Sequence, residues 1–112
     1  MTTRYKDSAT SIDKRVGNLF KAAPAVMTPY SQLMKAASGK GALESKMKEL
    51  MAFSISIAIR CEDCIIFHLR AALKHGADRE EVIEAISVAI EMGGGPSVVY
   101  GGRALEALEE LS

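Results

Sequence analysis

The sequence predicts one all-α domain of about six helices in 112 residues, and three observations predict it. Apolar residues recur three and four apart along most of the chain, the spacing of a helix with one buried face. The stretches between them carry helix-ending chemistry, "SGKG", "KHG" and "GGGPS". The one strand-like run, "FSISIAI", continues a helical segment with no turn signal before it. One domain is also what this length supports, with enough chain to bury a core.

Taken in order, residues 1–10 read as a loose N-terminal segment. From Ser11 the pattern turns helical, with Ile12, Val16, Leu19 and Phe20 on one side. Pro24 suits the first turn of a second helix over Ala25 to Ala37, since its missing N–H is an unpaired group there anyway. Ser38 to Gly41 is a turn. A third helix is expected from Leu43 to Arg60. Phe53 to Ile59 alternates and is β-branched, which alone suggests a strand. The preceding "LESKMKELMA" is strongly helical, with Glu44 and Lys48 four apart, and the two are continuous. A fourth helix follows and ends at "KHG", where Gly76 fits a left-handed cap and Lys74 and His75 suit the negative end of the helix dipole. Asp78 and Glu81 form an N-terminal capping pair for the fifth helix. "GGGPS", Gly93 to Ser97, breaks the chain before a last helix with Leu105, Leu108 and Leu111 on one side.

Composition narrows the function. Apolar residues make up 48% and charged residues 25%, with 14 basic and 14 acidic side chains. A balanced charge without tryptophan gives neither the basic stripe nor the stacking platform of a nucleic-acid binder. The uncharged run to test for a membrane is Leu50 to Ile59, which is about half of a membrane span. The polar start lacks a signal-peptide core. A cytoplasmic protein is expected. In that compartment a close cysteine pair points to catalysis or metal rather than to a structural staple.

Both cysteines lie in "RCEDCIIFHLR", as Cys61-x-x-Cys64-x-x-x-His68. On a helix, Cys61, Cys64, Ile65, His68, Ala72 and His75 share an arc of roughly 100°. Three readings fit. Two small apolar side chains could simply line a core face. A zinc site would need a fourth ligand from elsewhere, because Cys61 and His75 stand about 21 Å apart along a helix axis. A redox dithiol needs Cα atoms ~5–6 Å apart, which positions i and i+3 supply. The start of the helix would stabilise a thiolate at Cys61, and Arg60 would assist while Glu62 and Asp63 oppose. His68, one turn after Cys64, is placed to take its proton. Glu49 precedes the uncharged run and shares a face with Phe53, Ser56 and Arg60. Its spacing alone suggests a solvated carboxylate paired with Lys46 or Arg60.

Glu49-x11-Cys61-x-x-Cys64-x-x-x-His68 resembles the signature of the AhpD-like alkylhydroperoxidase and carboxymuconolactone decarboxylase family. The likeness runs from about Gly41 to Leu108, including the "HGA" turn and the "GGGP" break. It implies an all-helical AhpD-like domain, a homo-oligomer (trimer or hexamer), and antioxidant chemistry. The implied activity is a thiol-dependent peroxidase or disulfide oxidoreductase, which reduces hydroperoxides or protein disulfides at the expense of a thiol reductant. No cofactor and no metal are implied. By the resemblance, Cys64 attacks the peroxide, Cys61 donates a proton and then closes a disulfide, and His68 and Glu49 relay protons. One position departs from the pattern: Asp63 stands where the well-studied AhpD proteins have histidine, and its charge disfavours a thiolate at Cys64. Two other functions carry distinct signatures. A decarboxylase or isomerase of a small carboxylate or lactone would use His68 as base and not need both thiols. A non-enzymatic redox-sensing module would oxidise without turning over.

Overall fold

The computed structural model describes residues 3–112, and its described residues form six helices and no strand. They are α1 (Arg4–Ala22), α2 (Pro24–Ser38), α3 (Ser45–Ala58), α4 (Glu62–Lys74), α5 (Arg79–Gly93) and α6 (Gly95–Leu111).

The centre of the molecule is α3, which packs against α4, α5 and α6. Its buried residues, Glu49, Leu50, Phe53, Ser56 and Ile57, repeat at helical spacing. The strand-like alternation of Phe53 to Ile59 resolves into two helical faces. Phe53 and Ile57 are fully buried, whereas Met47, Met51, Ile55 and Ile59 lie exposed in a row four residues apart. The two serines satisfy their hydroxyls on backbone carbonyls: Ser54 donates to Ala85 at 2.9 Å and Ser56 to Ala52 at 2.7 Å. From α4 come Ile65, Ile66, Leu69 and Ala72, and from α5 and α6 come Val82, Ala104, Ala107 and Leu108. The ion pairs around α3 differ from the spacing-based expectation. Lys48 donates to the Gly39 carbonyl at 2.7 Å, and Glu44 pairs with Lys40 at 3.5 Å instead.

Each turn is built as its residues require. Gly76, with φ of +92°, closes α4 in a Schellman motif: its N–H reaches the Leu73 carbonyl, and the Ala77 N–H reaches that of Ala72. Asp78 and Glu81 form the expected capping box, each side chain accepting from the other's backbone N–H. Gly94, with φ of +67°, makes the sharp joint between α5 and α6.

The N-terminus corrects the sequence reading. Residues 1–10 were expected to be loose, yet α1 begins at Arg4; Met1 and Thr2 lie outside the described residues. The cause is tertiary. Tyr5, Ala9 and Ile12 are buried in the core, and Glu110 of α6 accepts from the Tyr5 and Lys6 N–H groups at 2.8 and 2.9 Å. That carboxylate serves as the cap that α1 lacks in its own sequence. By contrast, α2 carries no buried residue, and Val26, Tyr30 and Leu33 on it are exposed.

Candidate functional site

The site forms where α3 ends and α4 begins. Helix α3 stops two residues short of Arg60, which adopts the left-handed conformation with φ of +60°. This is a second Schellman motif, with the Arg60 N–H on the Ile57 carbonyl and the Cys61 N–H on that of Ser56. Glycine is the usual residue at such a position, so an arginine there carries a conformational cost of roughly 1–2 kcal/mol. The turn lifts Cys61 out of the helix. It is the N-cap of α4 rather than a member of it, and its sulfur accepts from the Cys64 N–H at 3.2 Å. The stripe expected to run along the helix from Cys61 therefore begins at Cys64.

Cys61 and Cys64 are joined in a disulfide, with Cα atoms 5.2 Å apart. Both residues are half-buried, so the pair is reachable from solvent while resting on the core. The N-cap position points the Cys64 N–H at the Cys61 sulfur, and the positive end of a helix favours a thiolate there once the bond is reduced. Among the described residues no group of three or more cysteine, histidine or acidic side chains is arranged to hold a metal ion.

His68 follows one turn after Cys64, and its Nδ1 lies 3.0 Å from Oε1 of Glu49. Glu49 is only 7% exposed, which rules out the solvated surface carboxylate that its spacing suggested. Neither Lys46 nor Arg60 is its partner; Lys46 pairs with Glu81 at 2.9 Å. To an ionised carboxylate the ring can only donate, through Nδ1–H, an arrangement that leaves the lone pair of a neutral imidazole on Nε2. Phe67 meets the imidazole edge-on, with ring centroids 5.0 Å apart, and limits its rotation. The two side chains stand at one wall of a cleft of about 580 Å³ between α2, α3 and α4, otherwise lined chiefly by apolar groups such as Met34, Leu43, Met51, Ile55 and Phe67.

Of the four residues singled out in the sequence, the structure joins Cys61 to Cys64 and Glu49 to His68. His75 is exposed at the C-cap of α4, apart from this group. Two residues that the sequence reading passed over stand beside the acidic turn after Cys61. Arg4 donates to Glu62 at 2.6 Å and Arg15 to Asp63 at 3.1 Å. No local pattern announces either pairing, because 58 and 48 residues separate the partners.

These features define a class: an all-helical protein with a Cys-x-x-Cys pair at a helix N-terminus and, one turn along, a histidine held by a buried glutamate. The chain belongs to the carboxymuconolactone decarboxylase family, whose model matches residues 24–110. It is 40% identical to an uncharacterized protein of Cupriavidus necator over 112 residues, which is 100% of this chain and 99% of that one. A carboxymuconolactone decarboxylase family protein of Legionella pneumophila has a similar structure, with a TM-score of 0.93 and 39% identity over 97% of both chains. A family protein of Thermotoga maritima, described as "possibly involved in antioxidative response", superimposes with a TM-score of 0.72 and 38% identity, over 76% of this chain and 88% of that one.

Proposed function

We propose that the protein is a thiol-dependent peroxidase that cycles Cys61 and Cys64 between dithiol and disulfide. The observation that carries this reading is the closed Cys61–Cys64 pair on a half-exposed helix N-terminus, with the His68–Glu49 pair one turn away. A pair built only into the core would not leave both residues partly exposed. The Thermotoga maritima relative's description supports the antioxidant direction.

In the proposed cycle His68 Nε2 takes the Cys64 proton, and Glu49 holds the resulting imidazolium. The Cys64 thiolate attacks the outer oxygen of a hydroperoxide, ROOH. The O–O bond breaks, Cys64 becomes a sulfenic acid, and RO⁻ leaves as ROH with the proton returned from His68. The Cys61 sulfur then attacks the Cys64 sulfur; the S–O bond breaks, water leaves, and the disulfide forms. Two protein thiols are oxidised and one hydroperoxide is reduced to alcohol and water. A thiol reductant supplies two electrons to reopen the pair. The apolar cleft is lined by Glu49 and His68 and not by either cysteine, and it would suit the carbon chain of an organic hydroperoxide whose peroxide end reaches past His68. We also propose a closed homo-oligomer, because Met47, Met51, Ile55 and Ile59 on α3 and Val26 and Leu33 on α2 are exposed, and large exposed apolar patches usually mark contacts.

The direct test is a thiol count on the reduced protein before and after one equivalent of cumene hydroperoxide. We expect two thiols lost per chain, a mass two protons lower with the bond inside one peptide, and one equivalent of alcohol. Two free thiols surviving the treatment would end the redox reading. Stoichiometric oxidation without turnover on any dithiol donor would turn it into redox sensing.

A further inference from the structure

Helix α1 lies before the segment that the family model matches, and it packs against α4. We propose that α1 is an electrostatic positioning element for the dithiol, in which Arg4 and Arg15 offset the two acidic residues between the cysteines. The inference rests on the proposed function only in that Cys64 must react as a thiolate.

The charges that face the dithiol can be counted element by element. The turn before it contributes Arg60, which is exposed. From α4 come Glu62 and Asp63, directly between the sulfurs in sequence, and His68 one turn on. From α3 comes Glu49, which is engaged with His68 at 3.0 Å. From α1 come Arg4, held to Glu62 at 2.6 Å, and Arg15, held to Asp63 at 3.1 Å. Further along, Asp13 of α1 accepts twice from Arg70 of α4, at 2.9 and 3.2 Å, so those two also cancel. From α6 comes Glu106, which accepts from the Tyr5 hydroxyl. Of the groups at the turn itself, Arg60 and the positive N-terminus of α4 are left to favour a thiolate. Without the two arginines of α1, two negative charges would stand beside the reacting sulfurs and oppose it.

The placement is built into the fold. Helix α1 is fixed at its start by Glu110 and along its length by buried Tyr5, Ala9 and Ile12, so its arginines are presented by a rigid element. The ion pairs themselves are partly or largely exposed, with side-chain exposures of 49% and 29% for Arg4–Glu62 and 61% and 58% for Arg15–Asp63. Pairs so exposed contribute little to folding. Their field still acts on a sulfur one or two residues away. Acidic residues in the first turn benefit α4 as a helix, and α1 removes the penalty they would impose on the chemistry.

The test uses the full reduced chain and follows iodoacetamide alkylation of each cysteine against pH, with the modified peptides resolved by mass spectrometry. Arg15→Gln should move the Cys64 profile up by ~0.5 pH unit, about a threefold loss of thiolate below the midpoint, and Asp63→Asn should move it down by a similar amount. In the Asp63→Asn background α1 stays in place but the ion pair that holds the Arg15 guanidinium beside the turn is gone, so the double variant should match Asp63→Asn alone. Arg4→Gln with Glu62→Gln makes a second, independent cycle. Salt near 1 M should shrink every difference. Loss of α1 packing would lower the melting temperature of Arg15→Gln and would not be undone by Asp63→Asn, which separates a structural role from an electrostatic one. Because alkylation reads the sulfur directly, a shifted profile in a protein that fails to turn over peroxide would leave this inference standing and remove the peroxidase. An Arg15→Gln profile that overlays wild type, or one that shifts equally with and without the Asp63 charge, would overturn it.

Discussion

Glu49→Gln isolates the charge of one carboxylate while keeping its shape. Glu49 is 7% exposed and its Oε1 lies 3.0 Å from His68 Nδ1. Glutamine can still accept from Nδ1–H, so the imidazole should keep its orientation and tautomer. What is lost is the part of the bond that depends on charge. Hydrogen bonds to charged groups are worth ~1.5–3 kcal/mol and neutral ones ~0.5–1.5 kcal/mol. The difference of about 1–1.5 kcal/mol is felt when His68 becomes an imidazolium, as Cys64 gives up its proton. It corresponds to about a 5- to 12-fold slower reaction of Cys64 with hydroperoxide. His68→Ala removes the proton acceptor itself and should cost ~10²–10⁴-fold. The double variant should be no worse than His68→Ala, because a carboxylate that acts through the imidazole has nothing to act on once it is gone. The assay is single-turnover thiol loss on the reduced protein, for wild type, both single variants and the double. Glu49→Gln overlaying wild type while His68→Ala is inactive would place Glu49 outside the relay. A double variant slowed by the product of the two single effects would mean that the residues act independently.

Gly93→Ala should destabilise by ~1–3 kcal/mol, because a Cβ there collides with the Ser97 hydroxyl in a fully packed joint. Gly102→Ala, at an open position in α6, should stabilise by up to ~1 kcal/mol, and urea melts of the two compare them directly. On acidification, stability should fall through the carboxylate range. The Arg70 hydrogen bonds hold the Asp13 carboxyl below its ordinary value, and the Asp78 backbone N–H, then Lys46, do the same for Glu81. Groups with depressed folded values stabilise fully above their unfolded values near ~4 and lose that stabilisation as pH drops through the folded ones. Asp13→Asn with Glu81→Gln should therefore flatten the acid limb of a melting-temperature profile, and an unchanged limb would show that other groups set it. Sedimentation at micromolar concentration should show a closed oligomer, with Met51→Glu and Ile55→Glu together dissociating it; a wild-type monomer would contradict the assembly.

The helices were legible in the sequence because local signals and burial agree along most of the chain. The capping box at Asp78 and the cap at Gly76 are local chemistry, and both occur where the residues placed them. In α3 the alternation of Phe53 to Ile59 misleads only if one face is assumed buried; two apolar faces explain it. Two of the failures share a physical origin, which is distance along the chain. The start of α1 is ordered by Glu110, 104 and 105 residues away, so a polar N-terminus gave no hint of helix. Glu49 looked like a surface residue because its burial depends on α4, 19 residues later at His68. Arg60 is a different case. Nothing in an arginine signals a left-handed backbone, and only the two hydrogen bonds that it and Cys61 make back to α3 impose one.

That turn connects the fold to the chemistry. A disulfide between i and i+3 inside a helix would have to draw together two side chains whose backbone is already committed to helical bonds. Here Cys61 is outside the helix, with φ of −108° and ψ of 96°, and its own N–H is satisfied by the Ser56 carbonyl of α3. Its sulfur meanwhile serves as the cap for the Cys64 N–H. A thiolate at Cys61 would accept that same N–H more strongly than a disulfide sulfur does, since charge-assisted hydrogen bonds are roughly twice as strong as neutral ones. The first turn of α4 is thus capped in both redox states. Opening the bond would free the Cys64 sulfur, one turn before His68, without unwinding the helix that carries both. The left-handed Arg60 is the residue at which this is arranged: it ends α3 abruptly enough for the next residue to be a cap, and its strain of roughly 1–2 kcal/mol is small beside the helix turn it preserves.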